Sequence, residues 1–116
     1  MIERFESNGK YSGVVRVDNQ TIYLAGMVAS DFDGDISKQT METLSKIENL
    51  LDQYGSDINN VITATVYLKD MADFKAFGTV WNQVFSADSL PARTTVQAAM
   101  VNQSILVEVT VIAAVK

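Results

Sequence analysis

Pro91-Ala92-Arg93-Thr94-Thr95-Val96 divides the chain, because Pro91 is the only proline among 116 residues. Its ring fixes φ and pushes Leu90 out of helical geometry, so a helix-bearing segment ends here and a strand begins. Upstream, Met71, Phe74, Phe77, Trp81 and Val84 recur at helical spacing, which predicts a helix over about 71–85. Asp70 precedes it with Asp73 three residues on, close to a capping box. Downstream, about Arg93 to Ala99 and Ile105 to Val115 read as two strands around the polar corner Asn102-Gln103-Ser104. Arg93 therefore sits three steps into a new element, either as a structural ion-pair partner or as a grip for a carboxylate.

Further toward the N-terminus, Val61 to Leu68 is rich in β-branched residues and reads as a buried strand. Ile36, Thr40 or Met41, Leu44, Ile47, Leu51 and Tyr54 form a second helical stripe, with Asp35 to cap it and Gly55 to end it. Tyr11 to Val17 and Thr21 to Ala25 flank the polar turn Asp18-Asn19-Gln20, as a hairpin requires. Ile2 to Phe5 is a short candidate strand before them. The resulting order, β-β-β-α-β-α-β-β, predicts a single domain over residues 1–116 with one mixed sheet and both helices on one face.

Composition narrows the chemistry. Apolar residues make up 47% and charged residues 20%, the profile of a compact soluble protein. The net charge is −5 and the nine lysines and arginines are scattered, which disfavours a nucleic-acid partner. Neither cysteine nor histidine occurs. Disulfides, zinc-thiolate sites and thiol catalysis are excluded, and the commonest general base and metal ligand is missing. Asp31-Phe32-Asp33-Gly34-Asp35 alternates acids around a glycine but lacks the distal glutamate of a calcium loop; it reads as a solvated turn leading into a helix. No apolar run approaches the ~18 residues of a membrane span, and Met1 to Glu6 does not read as a signal peptide. The expectation is a cytoplasmic protein without metal or cofactor.

Two helices cover only one face of such a sheet, so the other must meet water or a second subunit. Val107, Val109 and Val111 alternate with Glu108, Thr110 and Ile112. With the valines turned to the helices, Arg93 and Glu108 are expected together on the opposite face, alongside Tyr23, Ala25, Thr63, Thr65 and Tyr67. A semi-polar surface of this kind suits burial against copies of the same chain, with Arg93 near the boundary between subunits.

These residues also carry a resemblance. Pro91-Ala92-Arg93-x-x-Val96 followed by Val107-Glu108-Val109-x-Val111-Ile112-Ala113 resembles the C-terminal signature of the RidA/YjgF family of enamine/imine deaminases. Gly55-Ser56 before the Val61–Leu68 strand, then Lys69-Asp70-x-x-Asp73-Phe74, is similar to the middle of the same family, and the likeness runs from about Tyr11 to Ala113. It implies a chorismate-mutase-like α/β (α+β) fold with five to six strands. It also implies a homotrimer whose sheets line a central barrel, and a ligand cleft at each subunit interface. The expected reaction is hydrolytic deamination of 2-aminoacrylate-like enamines or imines to ketoacid and ammonia, without a cofactor. Carried over by motif, Arg93 would grip the substrate carboxylate and Glu108 would position water and shuttle a proton. Main-chain groups at Thr95, close backbone approach at Gly26 beside Ala25, and an aromatic at Tyr11 closing the cleft from the neighbouring subunit would complete the site.

The chain departs from the better-known deaminases at several positions. Ala25 stands where a hydroxyl is usual, Gly78 replaces an asparagine, Thr95 replaces a cysteine, and Gly9-Lys10 stands for Gly-Pro. The alternative function is a non-catalytic binder or sensor of small carboxylates or ketoacids in the same cleft. A ribonuclease or translation inhibitor, also associated with the family, is disfavoured by the acidic balance and absent histidine. Each site residue has a structural alternative: Arg93 paired with Glu108 or with an acid of a neighbouring subunit, Glu108 a satisfied interface carboxylate, Tyr11 a packing residue.

Overall fold

A computed structural model describes all 116 residues. Six strands, β1 (Ile2–Ser7), β2 (Ser12–Val17), β3 (Thr21–Leu24), β4 (Val61–Leu68), β5 (Ala92–Gln97) and β6 (Val107–Ala114), form one mixed sheet in the order β1-β2-β3-β6-β4-β5. Only β4 and β5 run parallel; every other pair is antiparallel. Two helices, α1 (Ile36–Gln53) and α2 (Phe74–Val84), pack against each other, with α1 also against β6.

Local chemistry explains where the elements begin and end. Asp18 and Asn19 both adopt positive φ in the three-residue loop between the paired Val17 and Thr21, a left-handed turn backbone that Asp and Asn tolerate. Asp35 caps α1 by accepting from the Lys38 N–H at 2.9 Å. Gly55 follows α1 at φ +95° while the Ser56 N–H returns to the Leu51 carbonyl at 2.8 Å, closing the helix in a Schellman turn. Asp70 caps a short 3₁₀ turn, Met71–Asp73, rather than α2 itself, which starts at Phe74. The acids at 31–35 lie in the turn before α1, where Lys38 pairs with Asp31. The Asp33 N–H and the Lys38 ammonium both hold the Asp31 carboxyl below its usual pKa.

The core lies between the helices and one side of the sheet. Val14, Ile22, Leu24, Ala64, Val66, Leu68, Val107, Val109 and Val111 are buried there against Leu44, Ile47, Leu51, Phe77 and Trp81. The other side is open, and Tyr23 and Val96 are exposed on it. Register aligns Tyr67 with Glu108, Thr65 with Thr110 and Thr63 with Ile112 on that open side, as the alternation predicts.

Arg93 is a correction. In register β5 sets Arg93 beside Ala64, Thr95 beside Val66 and Gln97 beside Leu68, all on the helix side, so Arg93 and Glu108 occupy opposite faces. Alternation along β5 is compatible with two phases, one with Thr94 and Val96 toward the helices and one with Arg93, Thr95 and Gln97 toward them; the expectation corresponds to the first and the structure has the second. Because β5 is an edge strand, its valine has no need of burial, and Val96 stays 40% exposed.

Candidate functional site

The expected site residues separate into two groups. The first lies where β3 ends. Ala25 donates its N–H to the Gly13 carbonyl at 2.9 Å, and Met27 exchanges two backbone hydrogen bonds with Val109, at 2.8 and 3.0 Å. Gly26 is left between these anchors with its Cα against Glu108. A Cβ built there would stand 2.3 Å from Glu108 Oε2 and 2.9 Å from Cδ, so only glycine lets backbone and carboxylate approach this closely.

Tyr11, Ala25 and Gly26 line one recess of about 490 Å³ with Glu6, Asn8 and Lys46. Asn8 holds the Tyr11 backbone, its Oδ1 accepting from the Tyr11 N–H at 3.0 Å, while the Tyr11 ring stays 60% exposed. Tyr54 donates its hydroxyl to Glu6. The Glu6 carboxylate keeps that proton in place and raises the Tyr54 pKa above its ordinary 10.0. Glu6, Asn8 and Lys46 were absent from the sequence reading. Lys46 reaches the recess from α1, and its Nζ donates to the Val28 carbonyl at 2.8 Å. No spacing in the chain links it to Tyr11; only the packing of α1 beside the hairpin does.

The second group lies on β5. The Arg93 guanidinium stands over three rings of α2, with its Cζ 4.9 Å from the Trp81 centroid, 5.4 Å from Phe77 and 5.7 Å from Phe74. All three distances fall within cation–π range. The chain's ion pairs are Met1–Asp18, Arg16–Glu3, Lys38–Asp31 and Lys116–Asp57. Neither Arg93 nor Glu108 belongs to one, so the structural alternative in which they neutralise each other does not hold within the chain. The Thr95 hydroxyl is buried without a hydrogen-bond partner, a costly condition for a polar atom. The aromatic support for Arg93 was present in the sequence as the α2 stripe, which reads equally well as plain core.

Three strand-to-strand steps separate β3 from β5, roughly 14 Å at the usual spacing. Arg93 and Glu108 are also offset along the strands, since Arg93 is level with Val111 through Ala64 while Glu108 is level with Tyr67. Glu108 does not line the Tyr11 recess; it lines a separate one on the open face with Tyr67, Ala98, Met100 and Thr110. One chain therefore presents a carboxylate on the interior strand β6 and a supported guanidinium on the edge strand β5. The outer main-chain edge of β5 pairs with no strand.

Fold and site chemistry together define a class, a mixed sheet backed by two helices with a lone arginine on its free edge strand. Residues 1–115 match the family described as endoribonuclease L-PSP. The chain is 36% identical over 114 residues to the RutC family protein YoaB of Escherichia coli, covering 98% of each chain. A crystal structure of an uncharacterized Pseudomonas aeruginosa protein superposes with a TM-score of 0.96 at 33% identity, covering 100% of both chains. NMB1025 of Neisseria meningitidis, a member of the YjgF protein family, gives 0.95 at 32% identity, covering 100% of this chain and 96% of its own. The chain belongs to this YjgF/RutC family, as its sequence signature implied. No helix is long and apolar enough to cross a membrane.

Proposed function

We propose that the protein hydrolyses reactive enamines or imines of the 2-aminoacrylate type to ketoacid and ammonia. The working unit is a homotrimer in which the β5 edge of one subunit meets the β3 recess of the next. Arg93 takes the substrate carboxylate through two parallel N–H···O bonds. Glu108 orients water and accepts its proton as oxygen bonds to the imine carbon and the C=N π pair passes to nitrogen. Returned to that nitrogen, the proton gives a carbinolamine; Glu108 then carries the carbinolamine's hydroxyl proton to the same nitrogen, and ammonia leaves with the C–N bonding pair as the O–H pair closes the C=O bond of the ketoacid. Backbone at Ala25 and Gly26 and main-chain groups at Thr95 hold the substrate, and Tyr11 closes the cleft.

The observation that carries this reading is an arginine with no acid of its own chain to neutralise it, held at a free sheet edge. Arg93 and Glu108 lie on opposite faces of one chain, so both act on one substrate only in a site shared between subunits; the open semi-polar sheet face supports burial in a central barrel. To test it, 2-aminoacrylate is generated enzymatically and its decay followed with wild type and Arg93→Ala. Acceleration by wild type alone is expected; equal decay discards the proposal. Light scattering should report a trimer, and a stable monomer would remove the shared cleft.

A second reading is favoured by Ala25, which brings no hydroxyl to the recess. It is a binder of small carboxylates that turns nothing over. Calorimetry with pyruvate or ketobutyrate would then give Arg93-dependent binding without catalysis. RNA cleavage, suggested by the family's description, has little support in a chain of net charge −5 without histidine.

A further inference from the structure

We infer that Phe74 and Trp81 are positioning residues for an anion site at Arg93, orienting the guanidinium so that its N–H edge faces outward, with Trp81 reporting occupancy. This rests on the reading of Arg93 as a carboxylate grip. An arginine on an exposed edge strand ordinarily samples many rotamers, and a bidentate bond requires one orientation of its plane. Here the plane has a support. Phe77 and Trp81 are almost fully buried, at 0% and 3% exposure, and serve as a floor that cannot turn aside. Phe74 is 42% exposed and forms the outer lip.

Residues 74, 77, 78 and 81 share one face of α2 by helical spacing. At Gly78, between Phe74 and Trp81, a built Cβ meets nothing within 4 Å. The helix surface beside the guanidinium is therefore unfilled, and a ligand can approach. A separate contact holds the strand to the helix start: the Met71 N–H donates to Gln97 Oε1 at 2.9 Å. Gln97 shares the strand face of Arg93 and Thr95, so the arginine and its aromatic support are held together from the strand side as well. The three rings lie within cation–π distance of Cζ, and rings stacked on a guanidinium's face leave its in-plane donors free. No carboxylate of the chain uses them as an ion pair.

Trp81 is the only tryptophan, so its fluorescence reads this spot alone. The experiment titrates pyruvate into the intact protein, following Trp81 emission and heat. Wild type should saturate with a change in emission. Phe74→Ala should raise the dissociation constant about 2- to 5-fold, matching the loss of one exposed cation–π contact. Phe74→Tyr should restore wild-type binding. With 2-aminoacrylate, Phe74→Ala should raise KM and leave kcat in place. If Phe74→Ala binds pyruvate as wild type does while Arg93→Ala does not, the positioning role is overturned and the carboxylate grip survives, even if the melting temperature falls. If wild type and Arg93→Ala behave alike, the carboxylate reading fails and takes this inference with it.

Discussion

The two groups of site residues are built from opposite materials. At the β3 end, the recess is made of backbone and small residues: Ala25 and Gly26 lie between fixed hydrogen bonds, and Glu108 rests against a position that only hydrogen can fill. At the β5 end, a long cation lies across aromatic rings whose burial belongs to the core. The first group offers space, with the Glu108 carboxylate behind Gly26 and facing a separate recess on the open sheet face; the second offers positive charge and orientation. Neither holds both halves of the proposed hydrolytic site. Where a chain places complementary chemistry on opposite faces of one sheet, assembly is one way to join them.

Subunit mixing tests that division most severely. Arg93→Ala and Glu108→Gln should each lower imine hydrolysis by about 10²-fold or more. Trimers reassembled from the two inactive variants should regain activity, because some clefts then pair an intact Arg93 with an intact Glu108. Absence of any recovery would show that both groups must come from one subunit. Gly26→Ala tests the recess alone. Its methyl group must displace the Glu108 carboxylate, and kcat should fall about 10- to 100-fold. Pyruvate binding through Arg93 should be largely kept; equal loss of both would mean the two ends are not separable.

Gly78→Ala tests the α2 side. With nothing near the added Cβ, it should stabilise the helix by about 0.5–1 kcal/mol, seen as a higher urea midpoint at unchanged slope. The smallest effect belongs to the recess wall. Tyr54 is neutral when bound to Glu6, and its folded pKa lies above the ordinary 10.0. The contribution of that bond to stability is thus fully present below pH 10 and is lost as pH rises through the raised value. Ultraviolet titration should show one of the four tyrosines ionising late, and Glu6→Gln should return it toward the others.

Much of this architecture was legible before any coordinates. The α1 stripe, its Asp35 cap and Gly55 stop, the hairpin at Asp18-Asn19 and the β4 run all fall where spacing and turn chemistry place them. Boundaries moved by a few residues: β1 extends to Ser7, β5 stops at Gln97 and β6 starts at Val107. Asp70 was read as capping a helix and caps a 3₁₀ turn instead. Tyr11 was expected to close the cleft from a neighbouring subunit; within one chain it lines the same recess as Ala25 and Gly26, while Glu108 lies against Gly26 outside that recess. The pairing of Arg93 with Glu108 on one face was not obtained.

What the order of residues determined by itself is periodicity and chemistry: which segments are helix or strand, where they stop, and that one arginine and one glutamate stand on adjoining runs without histidine or cysteine to share their work. What only the tertiary structure decided is phase and distance. A strand's alternation defines two faces without saying which one meets the core, and for β5 that choice came from hydrogen-bonded register with β4. Strand order likewise arises from long-range pairing, and it carried Arg93 onto the α2 rings and away from the glutamate.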